Sequence, residues 1–420
     1  GTQGAATSMP NGELSSIDLF AGCGGLSLGL HQAGWKGLFA IERDPMAFDT
    51  LQSNLVGESA PYDAYPYWPD WVSKAPHDID EFLSRPEHRD GLRGLREAVT
   101  LVAGGPPCQG FSAGGARNGA DERNHLVHRL LEVVELVRPK VALVENVEGI
   151  TRPFQSRPRD GARDSVAAEV VQALKDLGYK GAFGIADASQ FGVPQVRRRA
   201  IIVGVRDDVD AAPEDFFRHL HDIRTEHLRK HGLPEDRPIT AGEALGDLLN
   251  DSVRVECPDS PEFDTSTYVE AESSFATELR RGLPVGTIPD SHRYTKHGER
   301  ILDLYRTAHD TQPKGRLRKE FLLSMGTKKD KKVLIDPHQP VSTITTHPDE
   351  FIHFAEPRNI TVREMARLQS FPDDFRFRGR YTINGPRRKF DVARCSQVGN
   401  AVPPLFAEAI GRALKAMLDD

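Results

Sequence analysis

Over the first 205 residues, short apolar runs alternate with stretches of helical periodicity. The runs Ser16–Phe20, Gly37–Glu42, Val99–Ala103, Val141–Glu145 and Ala200–Val205 are apolar or β-branched and bounded by Gly, Pro or charge, which predicts strands. Between them, Leu126, Leu130, Val133, Val134 and Val137 share one helical face. Val166, Val170, Leu174 and Leu177 share another, and Gly178 predicts the end of that helix. Such alternation predicts an α/β fold, a doubly wound and mostly parallel sheet with helices on both faces. After Val205 the pattern degrades: residues 206–350 are charged, punctuated by proline and weakly periodic. A second, smaller domain of irregular architecture is expected there. Regularity returns at Thr361, where Thr361 and Glu364 have capping-box spacing ahead of Met365, Ala366 and Leu368. An amphipathic helix over Leu405–Leu418 closes the chain, and this last segment is expected to pack back on the first domain. The expected division is therefore 11–205 with 357–420 as one domain and 206–356 as the other. Residues 1–10 stand outside both, with Gly1–Ser8 read as a tag ahead of a start at Met9.

Composition narrows the class. Apolar residues make up 38% and charged residues 27%. No run of about 18 apolar residues appears, which predicts no membrane span. No charged-then-apolar leader opens the chain, so a cytoplasmic protein is expected. The four cysteines, Cys23, Cys108, Cys257 and Cys395, include no C-x-x-C pair, so no metal site and no disulfide framework is expected. The net charge of −7 argues against a nucleic-acid partner only as an average. From Arg293 to Lys332 there are twelve Lys or Arg against five Asp or Glu. On charge alone, a phosphate footprint and a solvated face fit that surplus equally. Tyr62, Tyr65, Tyr67, Trp68 and Trp71 crowd into ten residues, and a self-packed surface lobe is the expectation.

Two segments carry chemistry. The first, Asp18-Leu-Phe-Ala-Gly-Cys-Gly-Gly25, follows a strand and opens a helix. Glycines 22, 24 and 25 let the backbone turn tightly and approach a ligand at a helix N-terminus. Glu42 ends the next strand, where an α/β nucleotide fold places the acid that takes a ribose hydroxyl pair. The dinucleotide pattern G-x-G-x-x-G is incomplete, because Ser27 fills its last position. Acidic Asp18 beside the turn suits a sulfonium and an ammonium better than a pyrophosphate. The second segment, Gly104-Gly-Pro-Pro-Cys-Gln-Gly-Phe-Ser112, puts Cys108 on a proline-stiffened loop beyond a strand end, a setting for a nucleophile. The next strand ends in Glu145-Asn-Val, and Gln195-Val-Arg-Arg-Arg199 places Arg197 and Arg199 on one side of an extended segment. Glu145 either faces the same ligand as Cys108 or serves as an ion-pair partner of those arginines.

Together these segments resemble the cytosine-5 DNA methyltransferase family. The resemblance covers Asp18–Leu30, Glu42 with Asp44, Gly104–Ser112, Glu145–Val147, Gln195–Arg199, Thr361–Asp374 and Gln397–Pro404, in the family's order. It implies the S-adenosylmethionine-dependent methyltransferase fold, with 206–356 as a target-recognition domain. It implies Cys108 as covalent nucleophile at cytosine carbon 6, Glu145 as hydrogen-bonding acid, and Arg197 and Arg199 orienting the base. It implies S-adenosylmethionine held by Asp18, Phe20, Gly22, Gly24, Gly25, Glu42, Asp78, Pro107 and Asn400. The loop Ser112–Asn124 would close over a flipped base. The implied partner is double-stranded DNA, met by a monomer without a membrane. The short N-terminus resembles the bacterial or phage enzymes of restriction–modification systems, which makes a cognate restriction endonuclease a further expected partner. Three other readings compete with it, and the residues argue against each. An RNA cytosine methyltransferase has a Cys-Phe-Thr element that is absent here. A nicotinamide-dependent oxidoreductase leaves Cys108 and Glu145 without work, and a DNA-binding module that has lost catalysis would not need them.

Overall fold

Six segments pair into one sheet: β1 (Ser15–Leu19), β2 (Lys36–Ile41), β3 (Leu101–Gly104), β4 (Val141–Val147), β5 (Tyr179–Asp187) and β6 (Arg198–Arg206). Their order across the sheet is β2-β1-β3-β4-β6-β5. β1 runs parallel to β2 and β3, and β3 parallel to β4, while β6 is antiparallel to both β4 and β5. The link from β5 to β6 is too short to hold a crossover helix, which makes that pair antiparallel. β5 escapes the sequence pattern because Gly181 and Gly184 dilute its apolar alternation and, at the sheet edge, most of it is only half-buried.

The computed structural model describes residues 12–107, 124–154, 165–250, 252–383 and 385–420. They form two compact units. The first takes the chain up to Ala188, then Arg198–Arg224 and Phe406–Asp420; the second takes Ser189–Arg197 and Thr225–Leu405. By compactness, then, residues 206–224 group with the sheet and 357–405 with the second unit, which differs from the division expected from periodicity.

In the first unit the sheet is flanked by α1 (Gly25–Gln32), α2 (Pro45–Leu55), α3 (Ile79–Ser84), α4 (Pro86–Gly94), α5 (His125–Val137), α6 (Val166–Asp176) and α7 (Pro213–Asp222). α5 buries Val127, Leu130, Leu131, Val133, Val134 and Val137. Each such side chain contributes roughly 1.5–3 kcal/mol when fully buried. α6 starts where Ser165 Oγ accepts from Ala168 N, and the chain leaves it through Gly178 at φ +89°. The closing helix Pro404–Asp419 returns as expected: buried Trp35 donates its indole N–H to the Gly411 carbonyl at 3.0 Å.

The second unit is held by buried charge as much as by apolar contact. Helix Val362–Leu368 carries the capping box read from sequence, with Thr361 and Glu364 each accepting from the other's backbone N–H. Arg367, fully buried, is clamped between Asp247 at 2.8 Å and Asp373 at 2.7 Å. Arg358 binds Glu364 through its two terminal guanidinium nitrogens. Burying these ions costs several kcal/mol each, which only such tight pairing offsets. A separate apolar cluster of Leu304, Tyr305, Ala308, Leu317, Leu322, Leu334 and Ile352 anchors the basic region. Among the described residues, no helix is long and apolar enough to cross a membrane.

Candidate active site

The β1–α1 turn is wound tightly. Phe20, Gly22 and Gly24 all take positive φ, at 58°, 59° and 104°. At Gly24, where φ favours glycine, a Cβ would also meet Leu55 Cδ1 at 2.5 Å, so a side chain there would have to displace Leu55. Glu42 fixes the turn from the end of β2: its Oε1 accepts from Gly22 N at 3.0 Å and its Oε2 from Asp44 N at 2.8 Å. Burial pushes the Glu42 carboxyl up, and those two amides oppose the rise. Asp18 lies fully buried near the end of β1, where loss of solvent pushes its carboxyl up to about 7. Its Oδ2 accepts from Ser27 Oγ at 2.6 Å, while its Oδ1 is buried and has no hydrogen-bond partner among the described residues. An orphaned buried carboxylate oxygen is costly, and a cationic ligand would relieve it. This donor set fits a sulfonium cofactor with an ammonium group. Cys23, in the same turn, is buried and its thiol is pushed up to about 12, so it stays inert.

Asp78 caps α3, its Oδ1 accepting from Asp80 N and Glu81 N. The preceding His77 N donates to the Glu42 carbonyl at 2.9 Å, which brings Asp78 beside the Glu42 end of β2.

One strand further along the sheet lies the reactive end. β3 separates β1 from β4, so the loop from Gly104 and the end of β4 open at the same edge as the cofactor turn. Asn146 Nδ2 donates to the Pro106 carbonyl at 3.0 Å and pins that loop to β4. Pro107 is exposed at its outer end. Glu145 Oε2 lies where a Cβ on residue 105 would approach it to 3.0 Å, so glycine there admits the carboxyl. Arg199 Nε sits 3.4 Å from Glu145 Oε1, with both side chains largely buried. Glu145 therefore pairs with an arginine and lies against Gly105. Cys108 and the loop from Ser112 lie outside the described residues up to Asn124.

The second unit brings together Gln195, Arg197 and the segment before Asn400. Arg197 is 4% exposed, and its guanidinium donates to Gln195 Oε1, to the Ile344 carbonyl and to the Gly399 carbonyl, at 3.0, 2.9 and 2.9 Å. Gln195 in turn donates to Leu368 O and Gln369 Oε1 and accepts from Ile344 N. Asn400 ends the helix Arg394–Asn400 and is exposed.

Three features escaped the sequence. Tyr65 and Ser27 join the cofactor turn through hydroxyl contacts that no spacing rule reveals. The aromatic segment packs on Phe39 of β2 and on Phe82 as well as on itself. Lys332, counted in the basic surplus, is buried and donates to Tyr305 Oη and the Asp349 carbonyl. Lys328, Lys329 and Lys331 beside it are exposed, and Lys329 pairs with Asp349.

A family model described as C-5 cytosine-specific DNA methylase matches residues 14–416. The type II methyltransferase M1.HphI of Haemophilus parahaemolyticus is 31% identical over 410 residues, covering 96% of this chain and 87% of its own. The type II methyltransferase M.DdeI of Desulfomicrobium norvegicum is 29% identical over 408 residues, covering 94% and 87%. Among solved structures, a prophage-encoded E. coli protein described among DNA modification methyltransferases superposes with a TM-score of 0.63 at 25% identity, over 97% of this chain and 100% of its own. The S. pombe Dnmt2 methyltransferase, at 15% identity and a TM-score of 0.50, shares the fold.

Proposed function

The chain belongs to the C-5 cytosine-specific DNA methylase family, and on that premise we propose how its residues carry the reaction. The enzyme transfers a methyl group from S-adenosylmethionine to carbon 5 of cytosine in DNA. A cytosine paired inside a duplex is out of reach of a side chain, so the target nucleotide is flipped out. Carbon 5 becomes a nucleophile only after a group adds at carbon 6. Cys108 adds there as the thiolate and forms a carbon–sulfur bond, driving ring electrons toward carbon 5 and nitrogen 3. Glu145 receives that density as the protonated acid, hydrogen bonding nitrogen 3 and the exocyclic amine. Arg199, 3.4 Å from Glu145, holds the carboxyl and steadies charge beside it. When bound, S-adenosylmethionine supplies an electrophilic methyl group on a cationic sulfur. Water or another base then takes the carbon-5 proton, and expulsion of the Cys108 thiolate restores the aromatic ring.

Arg197 works at one remove. Buried against the Ile344 and Gly399 carbonyls, it sets the segment that presents Asn400. Phe20, Gly22, Gly24 and Gly25 cradle the cofactor, Glu42 takes its ribose and Asp18 its cationic methionine end. Asp78 takes the adenine amine, and Pro107 and Asn400 complete the contact. Residues 206–356 read the DNA sequence, and 11–205 with 357–420 carry the chemistry. In this reading the enzyme meets DNA as a monomer. The type II names of the relatives support a cytoplasmic bacterial or phage setting and a restriction endonuclease of matching specificity.

The observation that carries this reading is the bond from Asn146 to the Pro106 carbonyl, two residues before Cys108 in the sequence, beside the Glu145–Arg199 pair. Labelled methyl transfer from S-adenosylmethionine to duplex DNA is expected to vanish in Cys108→Ser, and 5-fluorocytosine in the site should trap a covalent complex. Full activity in that variant would overturn the covalent mechanism. Bisulfite sequencing of a plasmid from expressing cells would give the methylated base and its sequence context.

A further inference from the structure

The aromatic lobe between β2 and α3 has no part in the mechanism above, yet one of its members reaches the cofactor turn. Tyr65 is 5% exposed, and its hydroxyl lies 2.6 Å from Ser27 Oγ. Ser27 Oγ lies 2.6 Å from Asp18 Oδ2. Three polar side chains thus form one buried chain from the lobe to the end of β1. Its polarity follows from counting protons. An ionised carboxylate only accepts, so the Ser27 hydroxyl spends its single proton on Asp18. Between Ser27 and Tyr65 the donor is then Tyr65.

The ring that carries this hydroxyl is held on several sides. A Cβ on residue 37 would come within 2.4 Å of the Tyr65 ring, so β2 is in close contact with it. Trp68 packs edge-on at 5.5 Å. The neighbouring Ala64 accepts from Gly37 N and donates to the Leu55 carbonyl. Ser27 occupies the position where a dinucleotide turn would have its last glycine, and the hydroxyl there is what makes the chain continuous.

We propose that Tyr65 is a positioning residue for S-adenosylmethionine: through Ser27 it fixes the Asp18 carboxylate so that Oδ1 faces the cationic end of the cofactor. The inference rests on the assignment of Asp18 to the cofactor. Chained hydroxyl donors polarise one another, so removing the outer link weakens the inner one. Asp18 is faced by Ser27 from α1, by Glu42 from the end of β2 and by Tyr65 from the lobe. Burial and the Glu42 charge push the carboxyl up, and the Ser27 hydrogen bond opposes them. Weakening that bond therefore moves Asp18 upward. A cationic ligand binds the ionised carboxylate, so affinity should rise with pH through about 7. In Tyr65→Phe that rise should shift to higher pH.

The test is equilibrium binding of S-adenosylmethionine across pH to the wild type, Tyr65→Phe, Ser27→Ala, the double variant and Asp18→Asn, with melting curves to verify folding. The cofactor's own amino titration is common to all five and cancels in the comparison. Tyr65→Phe should weaken binding about fivefold at neutral pH and raise the midpoint. Ser27→Ala should weaken it further, and the double variant should match Ser27→Ala, because the chain is already cut. Tyr65→Phe with wild-type affinity and midpoint overturns the proposal, as do effects of the two variants that multiply. Asp18→Asn separates the causes. If it loses binding while Tyr65→Phe does not, the positioning role alone fails; if it binds as the wild type does, the assignment of Asp18 fails with it.

Discussion

Arg199 and Glu145 meet in surroundings where each depends on the other. Desolvation lowers the affinity of the Arg199 guanidinium for its proton, and the Glu145 carboxylate raises it again. Removing either partner takes an opposite charge away from a largely buried one. Glu145→Gln keeps the shape and a hydrogen bond to the base but cannot donate an acid proton to nitrogen 3. Its turnover is expected to fall ~10²–10⁴-fold, the usual worth of general acid catalysis. Arg199→Ala should lower turnover by about tenfold to a hundredfold. In both, S-adenosylmethionine should bind as before, since the cofactor turn is built from other residues. Single-turnover methylation beside cofactor binding checks both statements. A parallel loss of cofactor affinity would mean that the pair supports the fold and not the base.

At the scale of elements, the helix Arg394–Asn400 shows how a short motif sets a position. Gly399 lies so close to the 345–346 backbone that a Cβ would stand 2.3 Å from the Thr345 carbonyl oxygen. Backbone cannot swing aside as a flexible side chain can, so Gly399→Ala forces the helix end away. A loss of about 1–3 kcal/mol is expected, read as a lower melting temperature. Cofactor affinity should fall with it if Asn400 contacts the cofactor. The helical and strand expectations fared according to their signal. The α5 and α6 faces, the capping box at Thr361 and the closing helix stand where periodicity put them. β5 was hidden by its glycines, and Asp78, a cofactor contact only as the resemblance implies, caps α3 in the fold.

For the whole molecule, the second unit's dependence on buried polar groups makes it sensitive to acid. His353 Nδ1 accepts from the backbone N–H of Ala355 and of Glu356, so Nε2 carries the ring proton of the neutral form, 3.4 Å from Glu364. His292 donates from Nε2 to the Leu248 carbonyl, which leaves Nδ1 to accept from Thr361 Oγ1. The two amides on His353 Nδ1 leave that ring no acceptor for a second proton, and burial lowers both histidines to about 4 from an ordinary 6.5. The unfolded chain therefore binds more protons between those values, and stability is lost as pH falls from 6.5 towards 4. Each histidine accounts for roughly 3 kcal/mol at the limit. Glu364, held far below the carboxylate range by Arg358 and His353, adds loss in the same direction at lower pH. Melting temperature should therefore drop steeply over that window, and His353→Gln should flatten the slope. A melting temperature constant from pH 7 to 4 would contradict this account.

The chemistry was legible in the chain because it depends on residue types at short spacings. Glycines that permit a turn, a cysteine after two prolines and a carboxylate ending a strand are local facts, and the alternation of runs carries the sheet that aligns them. What tertiary structure decided was partnership across long separations. The fate of Arg197, buried against Ile344 and Gly399, depends on segments 147 and 202 residues away. The basic count could not separate buried Lys332 from its exposed neighbours. The aromatic lobe read as a packing unit, and Tyr65 meets Ser27 only because β2 and α1 lie side by side once folded. Periodicity reports which face of an element is buried; which polar atoms then find one another is settled by the packing of those faces.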